Sequence, residues 1–170
     1  SSLLFVFYTL NEDLPETLAL QEIEATEMIG GDVFRDIAPE SNQVDQLVNR
    51  ALSLALAGNT KDASLLLEDL LLVTSEKRLQ IRIIYNLGIF AYNDGMYNQS
   101  LSYFSQLYGT DQVPEDVPDF LSQNASWYAA NAYLQLGNSE NASSLLRQLA
   151  STPGIHQSGA EDLLSQLNAI

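Results

Sequence analysis

Apolar residues along most of this chain recur every three or four positions, which is the spacing of one face of an α-helix. Alternation of apolar and polar positions, the pattern of a half-buried strand, is nearly absent after Tyr8. Glycine and proline divide the chain into stretches of helical length. The pattern therefore predicts an all-α fold.

The N-terminal part is predicted to contribute one helix before the others. Pro15 and Glu16 suit the first turn of a helix, and the pair Gly30 and Gly31 suits its end. We therefore predict a first helix over Leu14–Ile29. Further helices are predicted over Ser41–Ala57, Thr60–Val73, Ser75–Asn93, Tyr97–Tyr108, Val117–Leu136, Ser139–Ala150 and His156–Asn168.

Gly58, Gly95 and Gly137 mark an internal repeat of residue size. The residue seven positions before each glycine is small, and so is the residue five positions after it. The residues nine and twelve positions after it are large and apolar. The small residues are Ala51, Gly88 and Ala130 before the glycines and Ala63, Ser100 and Ala142 after them, and the large ones are Leu67, Phe104, Leu146, Leu70, Leu107 and Leu149.

A helix hairpin explains this repeat. Two antiparallel helices approach closely only where small side chains face each other, and larger side chains fill the space beside the crossing. The glycine ends the first helix and permits the turn into the second. Because each hairpin keeps one apolar face, neighbouring hairpins are expected to stack into a solenoid.

The middle unit, Ile84 to Phe104, resembles a tetratricopeptide repeat (TPR). Its Leu87–Gly88 pair, its Gly95 followed two residues later by Tyr97, and its Ser100 followed four residues later by Phe104 stand where that family places such residues. Ile84 replaces the family's usual Trp, and no Pro closes the unit. Outside this unit the match weakens, although the resemblance extends from Asn42 to Pro153.

The resemblance implies a right-handed α-α superhelix of about three TPR-like hairpins with extra helices at both ends. We divide the chain into an N-terminal extension at 1–40, repeats at 41–153 and a C-terminal capping helix at 154–170. In the capping helix, Leu163, Leu164 and Leu167 are expected to cover the last hairpin, because its apolar face would otherwise contact water.

In the TPR family the first helix of each hairpin lines a concave surface that binds a peptide or a helix of another protein. Carried over by position, the partner-binding groove would consist of Val48, Leu52, Arg82, Tyr85, Ile89, Tyr92, Asn93, Trp127 and Asn131. Tyr85 and Ile89 occupy places where a carboxylate clamp needs cationic and amide side chains, so such a clamp is not expected. Aromatic side chains at the centre favour an apolar or amphipathic ligand. The aromatic residues are equally explained as hairpin packing.

Composition removes several other functions. The chain carries 7 Lys and Arg against 22 Asp and Glu, a formal net charge of −15, so nucleic acid and anionic membranes are poor partners. It has no Cys, which excludes disulfides, thiolate zinc sites and thiol nucleophiles. His156 is the only imidazole and is expected to be an exposed capping residue. Glu22, Glu24 and Glu27 are expected to form a solvated face, and we predict neither enzymatic activity nor a metal or cofactor.

The stretch Leu3–Tyr8 is apolar throughout but too short to span a membrane alone. The sequence leaves two interpretations open: the segment docks on the rest of the protein, or it is the end of an upstream membrane anchor, which would favour an extracytoplasmic, periplasmic location in a bacterium. The leading prediction is a non-enzymatic interaction scaffold within a larger protein. The alternative is a self-association module that uses Leu3–Tyr8.

Overall fold

The computed structural model describes residues 18–29, 43–109 and 117–169. These residues contain helices and no β-strand, so the all-α prediction is confirmed. In chain order the helices are α1 Gln43–Leu56, α2 Thr60–Val73, α3 Lys77–Asn93, α4 Tyr97–Phe104, α5 Asp119–Gln135, α6 Ser139–Ser151 and α7 Gln157–Leu167. Each packs against the next one along the chain, and α1 also contacts α3.

The predicted helix over Leu14–Ile29 is wrong for the residues that the structure describes. Residues 18–29 form no α-helix and include only a short 3-10 turn at Ala25–Glu27. Backbone groups of Leu20, Ile23 and Ile29 bond to side chains of the helices. Within the stretch, backbone bonds run from the Glu27 N–H to the Glu24 carbonyl and from the Met28 N–H to the Ala25 carbonyl, in the 3-10 turn. We call residues 18–29 the docked segment.

The turns between paired helices follow the prediction. Gly58, Gly95 and Gly137 have φ angles of 88°, 74° and 71°, a left-handed conformation that favours glycine. In each turn the glycine N–H donates to the carbonyl three residues back, and the next N–H donates to the carbonyl five residues back. This is the same helix-ending motif three times.

The small residues of the repeat lie at the helix crossings. Ala51, Ala63, Ala130 and Ala142 are fully buried, as are the large residues predicted to flank them. At the middle crossing the space is tightest: a Cβ atom on Gly88 would lie 2.6 Å from Cε1 of Phe104. The Ser100 hydroxyl also donates to the Gly88 carbonyl oxygen over 2.9 Å. The hairpin packing inferred from residue size is therefore present.

The ends of the array are described unequally. At the C-terminal end, α7 packs on α6 and buries Ala160 and Leu163. At the N-terminal end, the predictions for Leu3–Tyr8 concern residues outside the described ranges. Among the described helices, none has the length and apolarity required to cross a lipid bilayer.

Candidate functional site

The docked segment is held by side chains of α3 and α5 that bond to its backbone. Asn93 accepts from the Ile23 N–H over 2.8 Å and donates to the Ile23 carbonyl over 2.8 Å. Asn86 makes the same pair of bonds with Ile29, at 3.0 and 3.1 Å. One side-chain amide thus satisfies both backbone groups of one residue, as a neighbouring strand would in a sheet.

A third residue of the segment, Leu20, is bound in the same way by several side chains. Its N–H donates to Asn131 Oδ1 over 2.9 Å. Its carbonyl accepts from Gln135 over 2.9 Å and from the Tyr92 hydroxyl. We call the side chains of α3 and α5 that bond to the docked segment the docking face. Its residues are Arg82, Asn86, Tyr92 and Asn93 on α3 and Tyr128, Asn131 and Gln135 on α5.

Arg82 ties the end of the docked segment to α1. Its Nε donates to the Ile29 carbonyl over 2.9 Å, while its terminal nitrogens bond to Asp45 and Asn49. The side chain is 2% exposed and that of Asp45 21% exposed. A cation buried to this extent requires a charged or strongly polar partner, and here α1 supplies both.

Three apolar residues anchor the docked segment: Ala19, Ile23 and Ile29 are buried in the same core as the helices. Burying one isoleucine side chain contributes about 1.5–3 kcal/mol. The segment is therefore bound both by apolar burial, which depends on its side chains, and by backbone hydrogen bonds, which do not. The bonds to Leu20, Ile23 and Ile29 require that these residues lie outside an α-helix, because a helix uses the same groups internally.

All docking-face residues except Tyr92 stand at positions that recur in the three hairpins. Counted back from the turn glycine, these positions stand thirteen, nine, six and two residues earlier, a spacing that keeps them on one face of a helix. They hold Asp45, Asn49 and Leu52 in α1; Arg82, Asn86, Ile89 and Asn93 in α3; and Asn124, Tyr128, Asn131 and Gln135 in α5.

An aromatic cluster lies beside the docking face. The ring of Tyr85 packs 6.0 Å from Phe104 and 6.4 Å from Tyr128, between ring centroids. The indole of Trp127 stacks on the His156 ring at 5.0 Å with an interplanar angle of 6°. Burial raises the pKa of Tyr85 and of Tyr128 above the usual range, so both hydroxyls keep their protons at neutral pH.

Two predictions about polar residues are wrong. His156 is not an exposed cap: it is half-buried against Trp127, and its Nε2 lies 2.8 Å from Asn124 Oδ1. Glu27 is not part of a solvated face either, because its Oε2 accepts from the Tyr128 hydroxyl over 2.9 Å. Glu22 and Glu24 are exposed as expected.

His156 provides a test through pH. Burial lowers its pKa below the ordinary value of 6.5, so the unfolded chain takes up this proton at a higher pH than the folded chain. The contribution of this group to the free energy of unfolding should therefore be complete above about pH 7 and decline as the pH falls below about 6.5. Urea unfolding at about pH 7.5 and about pH 5.5 measures it.

The control is His156→Gln, which has no titrating ring. The natural chain should lose more unfolding free energy between the two pH values than this variant, since the acidic residues are common to both. Equal losses would contradict a lowered histidine pKa. Because the sequence has 1 His, its ring resonances in an NMR titration give the same pKa independently.

The residues predicted for the groove fall into three sets. Arg82, Tyr92, Asn93 and Asn131 contact the docked segment through hydrogen bonds. Val48, Leu52, Tyr85 and Ile89 are buried in the core. Trp127 is half-buried and stacks on His156. For Tyr85 and Tyr92, packing and a polar contact coincide, because both rings are buried while their hydroxyls hydrogen-bond.

Asn86 and Tyr128 were missed by the sequence analysis. Both stand nine residues before a turn glycine, and Asn49 stands at the same place in the first hairpin. Asn86 follows Arg82 by four residues, and Tyr128 follows Asn124 by four. Helical spacing was therefore the signal that could have found them. In the part of the chain that the structure describes, no group of three or more His, Asp or Glu side chains is placed to hold a metal ion.

Comparison with protein-family models, with curated proteins and with solved structures finds no match to this chain. The likeness to tetratricopeptide repeats therefore rests on the motif residues of the middle hairpin.

Proposed function

We propose that this protein is a non-enzymatic, TPR-like interaction scaffold that binds an extended segment of another polypeptide. In this proposal the hairpins form a right-handed superhelix, and the docking face lines its concave side. The ligand lies across α3 and α5, where residues 18–29 lie now. The ligand is apolar at its anchors and, like residues 18–29, forms no α-helix.

The docked segment is the observation that carries the proposal. In it, side chains of α3 and α5 bond to both backbone groups of Leu20, Ile23 and Ile29 of the same chain. This supports the binding of another polypeptide in the same manner. Such contacts recognise an extended main chain whatever its sequence, and pockets for alternate side chains add selectivity. They also favour an extended peptide over a helical ligand, because a helix offers no free backbone groups along its length.

A binding assay in the full chain tests this. Ile23→Asp places a charge at a site that is 1% exposed and should release the docked segment. A fluorescent twelve-residue peptide, residues 18–29, should then bind to this variant and raise the fluorescence anisotropy. The natural chain should bind it far more weakly, because its own segment is present at a high effective concentration.

The specificity of the assay is checked on the docking face itself. Asn93→Ala, introduced into the released chain, should weaken binding about tenfold or more, because two hydrogen bonds to Ile23 are lost. Asn98→Ala, at an exposed position on α4, is the matched control and should change nothing. If Ile23→Asp unfolds the protein, Ile23→Gly removes the anchor without a charge. Absence of binding to a folded, released chain would refute the proposal.

Self-association is the second candidate, because one chain carries both a ligand and a docking face. Arg82 bonds to Ile29 and to Asp45, so the segment ends close to the start of α1. The thirteen residues between them reach up to about 45 Å when extended, which permits docking within one chain or onto a second copy. Light scattering of the full chain tests docking onto a second copy, and the same measurement without residues 1–10 tests self-association through Leu3–Tyr8. A monomer in both cases rules out self-association.

A further inference from the structure

Buried polar groups of α3 and α5 adjoin the contact between Tyr128 and Glu27 of the docked segment. The Tyr128 hydroxyl donates to Glu27 Oε2 over 2.9 Å, and the Tyr128 ring lies 6.4 Å from that of Tyr85, between centroids. Asn124 Nδ2 donates to the Tyr85 hydroxyl over 3.2 Å, and Asn124 Oδ1 lies 2.8 Å from His156 Nε2. Tyr85, Tyr128 and Asn124 are all buried.

The Tyr128 hydroxyl needs an acceptor at the Glu27 position. A phenol has one proton, and that of Tyr128 is used on the Glu27 carboxylate. The Asn124 amide donates to Tyr85, and its carbonyl accepts from the N–H of His156. Among the hydrogen bonds of the described residues, Glu27 is the acceptor of the Tyr128 proton.

We infer that the docking face selects peptides with an acidic side chain at the Glu27 position, between apolar anchors at the Ile23 and Ile29 positions, and that the docked segment is an internal ligand of this class. This inference rests on the proposed function. It adds the side-chain pattern of the ligand: apolar, acidic four residues later, and apolar two residues after that.

Other side chains at the Glu27 position are poorer acceptors for the Tyr128 hydroxyl proton, or no acceptors at all. Alanine would leave the buried Tyr128 hydroxyl without an acceptor, and lysine would bring a second donor to it. Glutamine keeps an acceptor oxygen without the charge. The order of affinity should therefore be Glu, then Gln, then Ala and Lys.

General electrostatic attraction does not explain an acid at this position. The chain has a formal net charge of −15, so an additional carboxylate is repelled at long range. The cation of the docking face, Arg82, bonds to Asp45 and to the Ile29 carbonyl. The acid is held through a directed hydrogen bond from Tyr128, which makes its recognition dependent on position.

The test uses peptides of residues 18–29 on the released full chain, Ile23→Asp. The parent peptide is compared with peptides carrying Glu27→Gln, Glu27→Ala and Glu27→Lys. Glu24→Ala is the matched control, because Glu24 lies on the same segment and is exposed. We expect Glu27→Ala to weaken binding about tenfold, Glu27→Gln less, and Glu24→Ala within twofold of the parent.

The outcomes separate the two proposals. If the parent and Glu27→Ala peptides bind equally, the docking face binds peptides but the acidic preference is wrong. If no peptide binds, both proposals fail. If Glu27→Ala and Glu24→Ala weaken binding to the same extent, the effect is one of net charge and the positional inference is overturned.

A second measurement avoids the released variant. In the otherwise natural chain, Glu27→Ala should increase hydrogen exchange at the Ile23 and Ile29 amides about tenfold, since these N–H groups are protected by docking. Glu24→Ala should leave the exchange unchanged. Equal protection in the natural chain and in Glu27→Ala would overturn the inference.

Discussion

Gly88→Leu should abolish the cooperative thermal unfolding of this protein. Even one methyl group at this position would lie 2.6, 2.8 and 2.9 Å from three ring atoms of Phe104, well inside van der Waals contact. Leucine adds three further carbons at a crossing where the backbone of α3 meets α4. Overpacking typically costs about 1–3 kcal/mol, and this site should be at or beyond the upper end. Circular dichroism during heating measures it.

Two controls establish that the clash with Phe104 is the cause. Gly154→Leu meets only the terminal amide of Gln123, a flexible side chain that can move away, so it should be tolerated much better. Gly88→Ala combined with Phe104→Leu should be less destabilised than the sum of the two single changes, because the smaller side chain makes room. Strict additivity, or a tolerated Gly88→Leu, would mean that the crossing is not tight at this position.

Arg82→Ala should be the second most damaging change. It removes the partner of Asp45 and Asn49 on α1 and of the Ile29 carbonyl on the docked segment. Removing one member of a buried ion pair typically costs about 3–5 kcal/mol, and partial exposure of Asp45 places the expected loss near the lower value. Equilibrium urea unfolding monitored by the Trp127 fluorescence gives the free energy.

Arg50→Ala is the control for this prediction, since Arg50 is an exposed arginine on α1. It should cost little, as exposed charges typically do. Arg82→Lys keeps the charge but lacks the planar donor fork that reaches three partners, so an intermediate loss is expected. If Arg82→Ala costs no more than Arg50→Ala, the bridge between α1 and the docked segment contributes nothing to stability.

The bounds of most helices could be predicted from the sequence, because interactions between residues a few positions apart determine them. Helix α2 is found at the predicted bounds, Thr60–Val73, and α1, α3, α5, α6 and α7 differ by one or two residues. Helix α4 ends at Phe104 rather than Tyr108, because its last turn tightens into bonds over three residues at Gln106 and Leu107. Turn glycines and helical periodicity act over a few residues, so a single sequence displays them.

The docked segment is where prediction from local sequence failed. Its residues have an acceptable helical composition, and nothing next to them in the sequence opposes a helix. The competing partners are Asn131, Asn93 and Asn86, separated from their bonded residues by 111, 70 and 57 positions. Because those amides satisfy the backbone groups that a helix would satisfy internally, tertiary context overrides local propensity.

The hairpin repeat could thus be inferred from the sequence, because the small residues are buried at the helix crossings and the glycines adopt the left-handed conformation of the turns. The contacts of the docking face with residues 18–29 depend on the tertiary structure, which brings α3 and α5 beside this segment. Hydrogen bonds between residues far apart in the sequence leave no local pattern, so neither the pairing of Asn86 with Ile29 nor that of Tyr128 with Glu27 could be predicted from the sequence. The tertiary structure decided both, because it places these side chains beside residues 18–29.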